Sequence, residues 1–261
     1  MQKRKRIRFA AALAAVTALA TGCAKVPTGT GDEGGRLVEV TMTLRGDVRI
    51  DGNNPYYYIF LMNRTDNPGD AGPVPVVGVP WNNGFAAASN EDSQGFVGFV
   101  VFSALGGLTG YQVYAAPTDA TGNLVKPQNV NAGIPGGWIP RGAPDNSTVP
   151  QAGEKTLRFL LDLSKLPNPD ARYLQINFLA TNNLPVGADP NAPKTWDALG
   201  NGAETGNINN WVTIDVTQNS IRSDADSIDP EPTGDVREKL AGLVNDPSLD
   251  IDDWSISVRS R

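Results

Sequence analysis

The sequence predicts an all-β chain: an antiparallel β-sandwich, open to jelly-roll-like connectivity, with long Pro/Gly/Asn-rich loops and one short helix near the C-terminus. Three observations point there. Apolar and polar residues alternate in short runs, the two-residue period of half-buried strands. The runs are separated by turn-rich segments, in a chain of 261 residues that holds 28 glycines and 20 prolines. Only one stretch carries helix-start signals.

In order, Val38, Val40, Met42 and Leu44 alternate with Glu39, Thr41 and Thr43, which makes 37–44 a strand. Asp51-Gly52-Asn53-Asn54-Pro55 is a turn, and 56–62 is apolar or aromatic on both faces, as a central strand covered on each side would be. The two read as a hairpin. A long loop follows over 63–83, then strands at 96–102 and 111–114 around Gly106-Gly107, and a second irregular segment over 117–153. Leu157, Phe159, Leu161 and Leu163 share one face of the next strand. After Pro167-Asn168-Pro169, Leu174, Ile176, Phe178 and Ala180 share another, with Gln175, Asn177 and Thr181 opposite. A third loop spans 182–210, with strands at 211–216 and 249–258. The helix is placed at 236–244, where Asp235 and Glu238 have capping-box spacing and Lys239 suits the helix dipole.

Ahead of all this stands a leader. Lys3, Arg4, Lys5, Arg6 and Arg8 precede an uncharged run over 9–20, too short for a membrane span but right for a signal-peptide core. Ala20-Thr21-Gly22-Cys23 closes it, and Cys23 is the sole cysteine. These residues resemble the lipobox of bacterial lipoproteins, with Ala20 where a larger aliphatic residue is usual. The resemblance covers 1–23 only. It implies transfer of diacylglycerol to the Cys23 thiol, cleavage before Cys23, acylation of the new amino terminus, and an extracytoplasmic, lipid-anchored protein. In a host with two membranes, Ala24 directs it to the outer one or the cell surface. The organisation expected is a signal peptide over 1–22, a flexible tether over 23–35 rich in Gly, Thr and Pro, and a single β-sandwich domain over 36–261.

Composition narrows function. The leader holds five of the 22 basic residues and none of the 28 acidic ones, so the remainder has 17 against 28, a net charge of −11. Nucleic acid and anionic lipid are poor partners for such a chain. Histidine is absent. That removes His-based triads, the usual zinc sites and haem ligation. With no catalytic motif either, a non-enzymatic module for binding or assembly is the first expectation. Its partners are the membrane, through lipid, and a polysaccharide or another envelope protein.

Candidate ligand-binding residues are Trp81, Asn83, Trp138 and Trp196, which fall in the long loops beside Gly, Pro or Asn. An indole can stack on a sugar face while an amide bonds its hydroxyls; equally, each ring can plug the core beneath its own loop. Trp211 and Trp254 read as core. Carboxylates concentrate near the end, and Asp226, Asp229, Glu231 and Asp235 are the candidate calcium ligands, since oxygen-rich clusters suit that ion. No other cofactor is expected. The alternative function is an extracellular carboxylate-dependent hydrolase of glycosidase type, with Asp197 or Glu204 as the acid.

Overall fold

The computed structural model describes residues 35–52, 56–75, 95–105, 108–127, 137–183, 194–204, 210–238 and 241–261. They form two antiparallel sheets packed as a sandwich, with no α-helix among them. Cys23, Trp81 and Asn83 lie outside the described residues.

The smaller sheet is built on β1 (Arg36–Leu44), flanked by β14 (Ile251–Ser260) and β7 (Thr156–Asp162). Register explains the choice of partners: Val40 lies opposite Ile256 on one side and Phe159 on the other, and Met42 opposite Trp254 and Leu157. All six side chains are buried, so two rows of apolar residues cross the three strands. β11 (Ser220–Ser223) and β6 (Asn146–Thr148) close the two edges.

The larger sheet centres on β2 (Tyr57–Thr65), between β3 (Gly98–Leu105) and β8 (Tyr173–Thr181). Every residue of β2 is buried. Tyr58, Phe60 and Met62 enter the core between the sheets. Tyr57, Ile59 and Leu61 enter a second apolar cluster on the far face, with Phe96, Phe99, Trp138 and Trp196. The two-sided apolar run is thus a central strand, as expected. β4 (Leu108–Ala115) and β5 (Ile139–Pro140) extend the sheet one way. In the other direction β8 carries two partners along one edge, β10 (Val212–Asp215) and β9 (Thr195–Ala198); β12 (Arg237–Glu238) and β13 (Gly242–Leu243) follow β9. Edge-to-face rings knit the sheets. Phe60 meets Phe159 at 4.9 Å, and Phe178 meets Trp254 at 6.3 Å between centroids.

Two expectations are corrected. β1 and β2 are not a hairpin: they belong to different sheets. β1 has one buried face and β2 two, and a strand apolar on both sides needs a layer over each of its faces. In place of the helix expected over 236–244, the described residues form two short antiparallel strands, Arg237–Glu238 paired with Gly242–Leu243. Arg237 pairs with Trp196 of β9, and Val244 N–H donates to Val236 O at 2.9 Å. The loops expected over 117–153 and 182–210 also hold short strands, β5, β6 and β9, that add to sheet edges.

Candidate functional site

β10 and β11 meet at one edge of the sandwich. A cleft of about 430 Å³ lies there, between an edge strand of each sheet, with Trp254 at its inner side and 226–229 at its rim. Trp211, just before β10, is 37% exposed and lines this cleft. Gly72 makes the close approach possible, since a Cβ there would collide with the indole. Asn210, Arg222, Asp226 and Asp229 add polar groups, and Ile228 stands fully exposed on the rim. Asp226 Oδ2 accepts from Ser223 Oγ at 2.8 Å, and Asp229 Oδ2 from Asn210 Nδ2 at 3.5 Å.

Behind the cleft three carboxylates converge. Asp197 of β9, Glu231 and Asp235 each bring an oxygen within 4.8 Å of the others, and all three residues are buried. Local folding produces the convergence. β12 pairs with β9, which lays Asp235, two residues before β12, alongside the turn that follows β9. Backbone amides then hold each carboxylate. Asp197 accepts from Ala198 N at 2.9 Å and Ile251 N at 2.7 Å, Glu231 from Gly200 N at 3.1 Å, and Asp235 from Gly202 N at 2.6 Å. Gly202 must be glycine, because a Cβ would strike the Asp235 carbonyl. Glu231 and Gly200 also line the cleft, so the cluster lies directly behind its wall.

The electrostatics are one-sided. Burial, then repulsion from Asp235, drives the Asp197 carboxyl well above its ordinary range. Burial and repulsion from Asp197 do the same to Glu231, and burial pushes Asp235 up to about 6. None of the ion pairs among the described residues reaches these three. The nearby Asp250 is neutralised by Arg45, whose Nε lies 2.5 Å from Oδ2.

The candidates from sequence sort unevenly onto this geometry. Trp138 and Trp196 are each 3% exposed, inside the second apolar cluster, and present no open ring face; Trp138 stacks on Phe96 at 5.1 Å. They plug the core beneath their segments. Trp211, read as core, is the ring that opens onto the cleft. Of the proposed calcium ligands, Glu231 and Asp235 come together, while Asp226 and Asp229 are exposed on the rim. The third member is Asp197, singled out from sequence only as a hydrolytic acid. Glu204 is exposed and outside the cluster. No family model matches the chain, and no curated protein or solved structure matches it significantly.

Proposed function

We propose that the protein is a lipid-anchored, extracytoplasmic binding module whose cleft takes a polyhydroxylated ligand, a glycan of the cell envelope. The half-exposed Trp211 in a cleft edged by Asn210, Arg222, Asp226 and Asp229 carries this reading. An indole face suits the C–H face of a sugar ring, and amide, carboxylate and guanidinium groups suit its hydroxyls. The anchor rests on the leader and Cys23. Two or three acyl chains would hold the module at a membrane where one would not.

The test is a binding screen of the full-length protein, in detergent, against envelope polysaccharides. Trp211→Ala is expected to weaken a bound glycan about 10–30-fold, the scale of losing one aromatic anchor. Unchanged affinity would overturn the cleft as the site. The anchor is checked separately by the mass of the mature amino terminus, where an unmodified Cys23 would exclude it.

A hydrolase is the second reading, drawn from Glu231 lining the cleft with Asp197 behind it. It ranks lower because Asp197 is wholly buried and both its oxygens accept backbone N–H groups. Release of reducing ends by the wild type, lost in Glu231→Gln, would reverse that order.

A further inference from the structure

We propose that Asp197, Glu231 and Asp235 form a buried site for one hard divalent cation, calcium by preference. The cation stabilises the fold by tying β9 to the 224–235 segment. This site is independent of any glycan in the cleft.

Geometry argues first. Oxygens ligating one Ca²⁺ at about 2.3–2.6 Å lie at most about 5 Å apart, whereas around Mg²⁺ the limit is nearer 4.2 Å. The three carboxylates fall within 4.8 Å of one another, which fits Ca²⁺ at any separation below that bound and Mg²⁺ only at the lower end. Donor chemistry agrees: every ligand is a carboxylate oxygen, the set that selects hard cations over zinc or copper.

Orphaned oxygens make the second, independent argument. Oε1 of Glu231 and Oδ1 of Asp235 are buried and find no hydrogen-bond donor among the described residues, although the other oxygen of each takes a backbone N–H. Glu231 is 9% exposed and Asp235 3%. A buried carboxylate oxygen without a partner is costly, and native chains rarely keep two in one cluster. One divalent ion satisfies both and offsets the repulsion among three clustered carboxylates. The amide bonds play the part of outer-shell orienters, fixing each carboxylate before the ion arrives.

The cradle also differs from what the acidic run 224–235 suggests by itself. Its members are 38 residues apart in sequence at the extremes, Asp197 to Asp235, so an ion here closes a long loop. The exposed Asp226 and Asp229 are not in it.

The experiment uses full-length protein in detergent, stripped with chelator and titrated with Ca²⁺, Mg²⁺ and Tb³⁺. We expect one Ca²⁺ per chain and a melting temperature raised by about 5–10 °C at a hundredfold excess over Kd. Tb³⁺ luminescence sensitised by tryptophan should appear and be displaced by Ca²⁺ more readily than by Mg²⁺. Glu231→Gln keeps an acceptor for Gly200 N–H and should abolish the calcium shift while the chelated protein melts no lower than wild type. Asp229→Asn should leave the shift intact. The proposal falls if calcium and chelator leave wild-type melting unchanged. It falls equally if Glu231→Gln retains the shift, or if Asp229→Asn alone removes it, since the ion would then sit on the surface loop.

Discussion

Gln175 is a polar side chain in the middle of a strand, and it is completely buried. Its Nε2 donates to Asp70 O at 2.8 Å and its Oε1 accepts from Asn63 Nδ2 at 2.9 Å. Two residues on, Asn177 Nδ2 donates to Pro73 O at 3.1 Å. These amides fasten 66–75 across the outer face of the larger sheet, where Gly72 then meets Trp211. Replacing Gln175 with Leu would leave a buried carbonyl and a buried amide without their partner. The expected loss is about 2–4 kcal/mol, read as a lower urea midpoint at constant m, with faster protease cleavage within 66–75. In the sequence, Gln175, Asn177 and Thr181 read only as the face opposite the apolar row, because alternation reports which face is apolar and not whether the other face is covered. A covering segment remote in the chain leaves no mark on the strand it covers.

At the scale of elements, 236–244 shows how one local signal serves two structures. Asp235 followed by Glu238 matches a capping box, yet the Asp235 carboxylate is engaged by Gly202 N–H and Glu238 Oε2 accepts from Ala241 N at 2.7 Å. Val236 is fully buried in the inter-sheet core, and pairing with β9 satisfies backbone groups that a helix would have satisfied internally. Gly242 has φ +76°, a conformation as useful for leaving a helix as for turning a hairpin. Open space surrounds its missing Cβ, so Gly242→Ala tests conformation alone. It should cost about 1 kcal/mol by thermal or urea unfolding, with Gly242→Asn closer to wild type. The reverse order would mean that this turn is not held left-handed. The false hairpin of β1 and β2 has a similar origin. Asp51-Gly52 is a turn signal, but a turn says nothing about whether the chain returns to its own sheet or crosses to the other. The contrast between the one-sided Val38–Leu44 alternation and the two-sided Tyr57–Met62 run is the mark of the difference, but the turn signal outweighs it in the hairpin reading.

Across the whole molecule, the candidate site was half readable. The acidic run from Asp226 to Asp235 stood out in the sequence, and two of its members belong to the cluster. Asp197 could not be joined to them until β12 was laid beside β9. The cleft was hidden for the same reason, since its walls come from edges of both sheets. The tyrosine hydroxyls are also long-range ties. Tyr111 on β4 accepts Arg158 N–H of β7 at 3.0 Å, joining the two sheets. Tyr58 on β2 donates to Ser248 O at 3.0 Å, just before β14, and accepts Arg49 N–H at 3.0 Å. Tyr56 donates to Asp246 Oδ2 at 2.9 Å.

Burial raises the pKa of Tyr58 and Tyr111 above the phenol range, and burial together with the Asp246 bond takes Tyr56 up to about 12. The sign of the consequence follows from proton counting. Unfolded tyrosines ionise near pH 10, while the folded ones keep their protons, so above pH 10 the folded state binds more protons and stability falls as pH rises. Below pH 10 the contribution is fully present. Tyr58 and Tyr111 together should remove roughly 2–3 kcal/mol per pH unit above about 10, at about 1.4 each, with Tyr56 adding less because its ring is partly exposed. A scan from pH 9 to 12 should show the 295 nm phenolate absorbance of these residues rising together with loss of β-sheet circular dichroism. Tyr111→Phe strips the acceptor from Arg158 N–H and should cost about 1 kcal/mol at neutral pH. It also removes one of the protons released on alkaline unfolding, so its stability should decline less steeply, and the two curves should converge as pH rises. If the Tyr111 share of the phenolate absorbance, wild type minus Tyr111→Phe, appears while the sheet signal stays intact, that hydroxyl opens to solvent in the folded protein, and its tie between the sheets is not what holds them together.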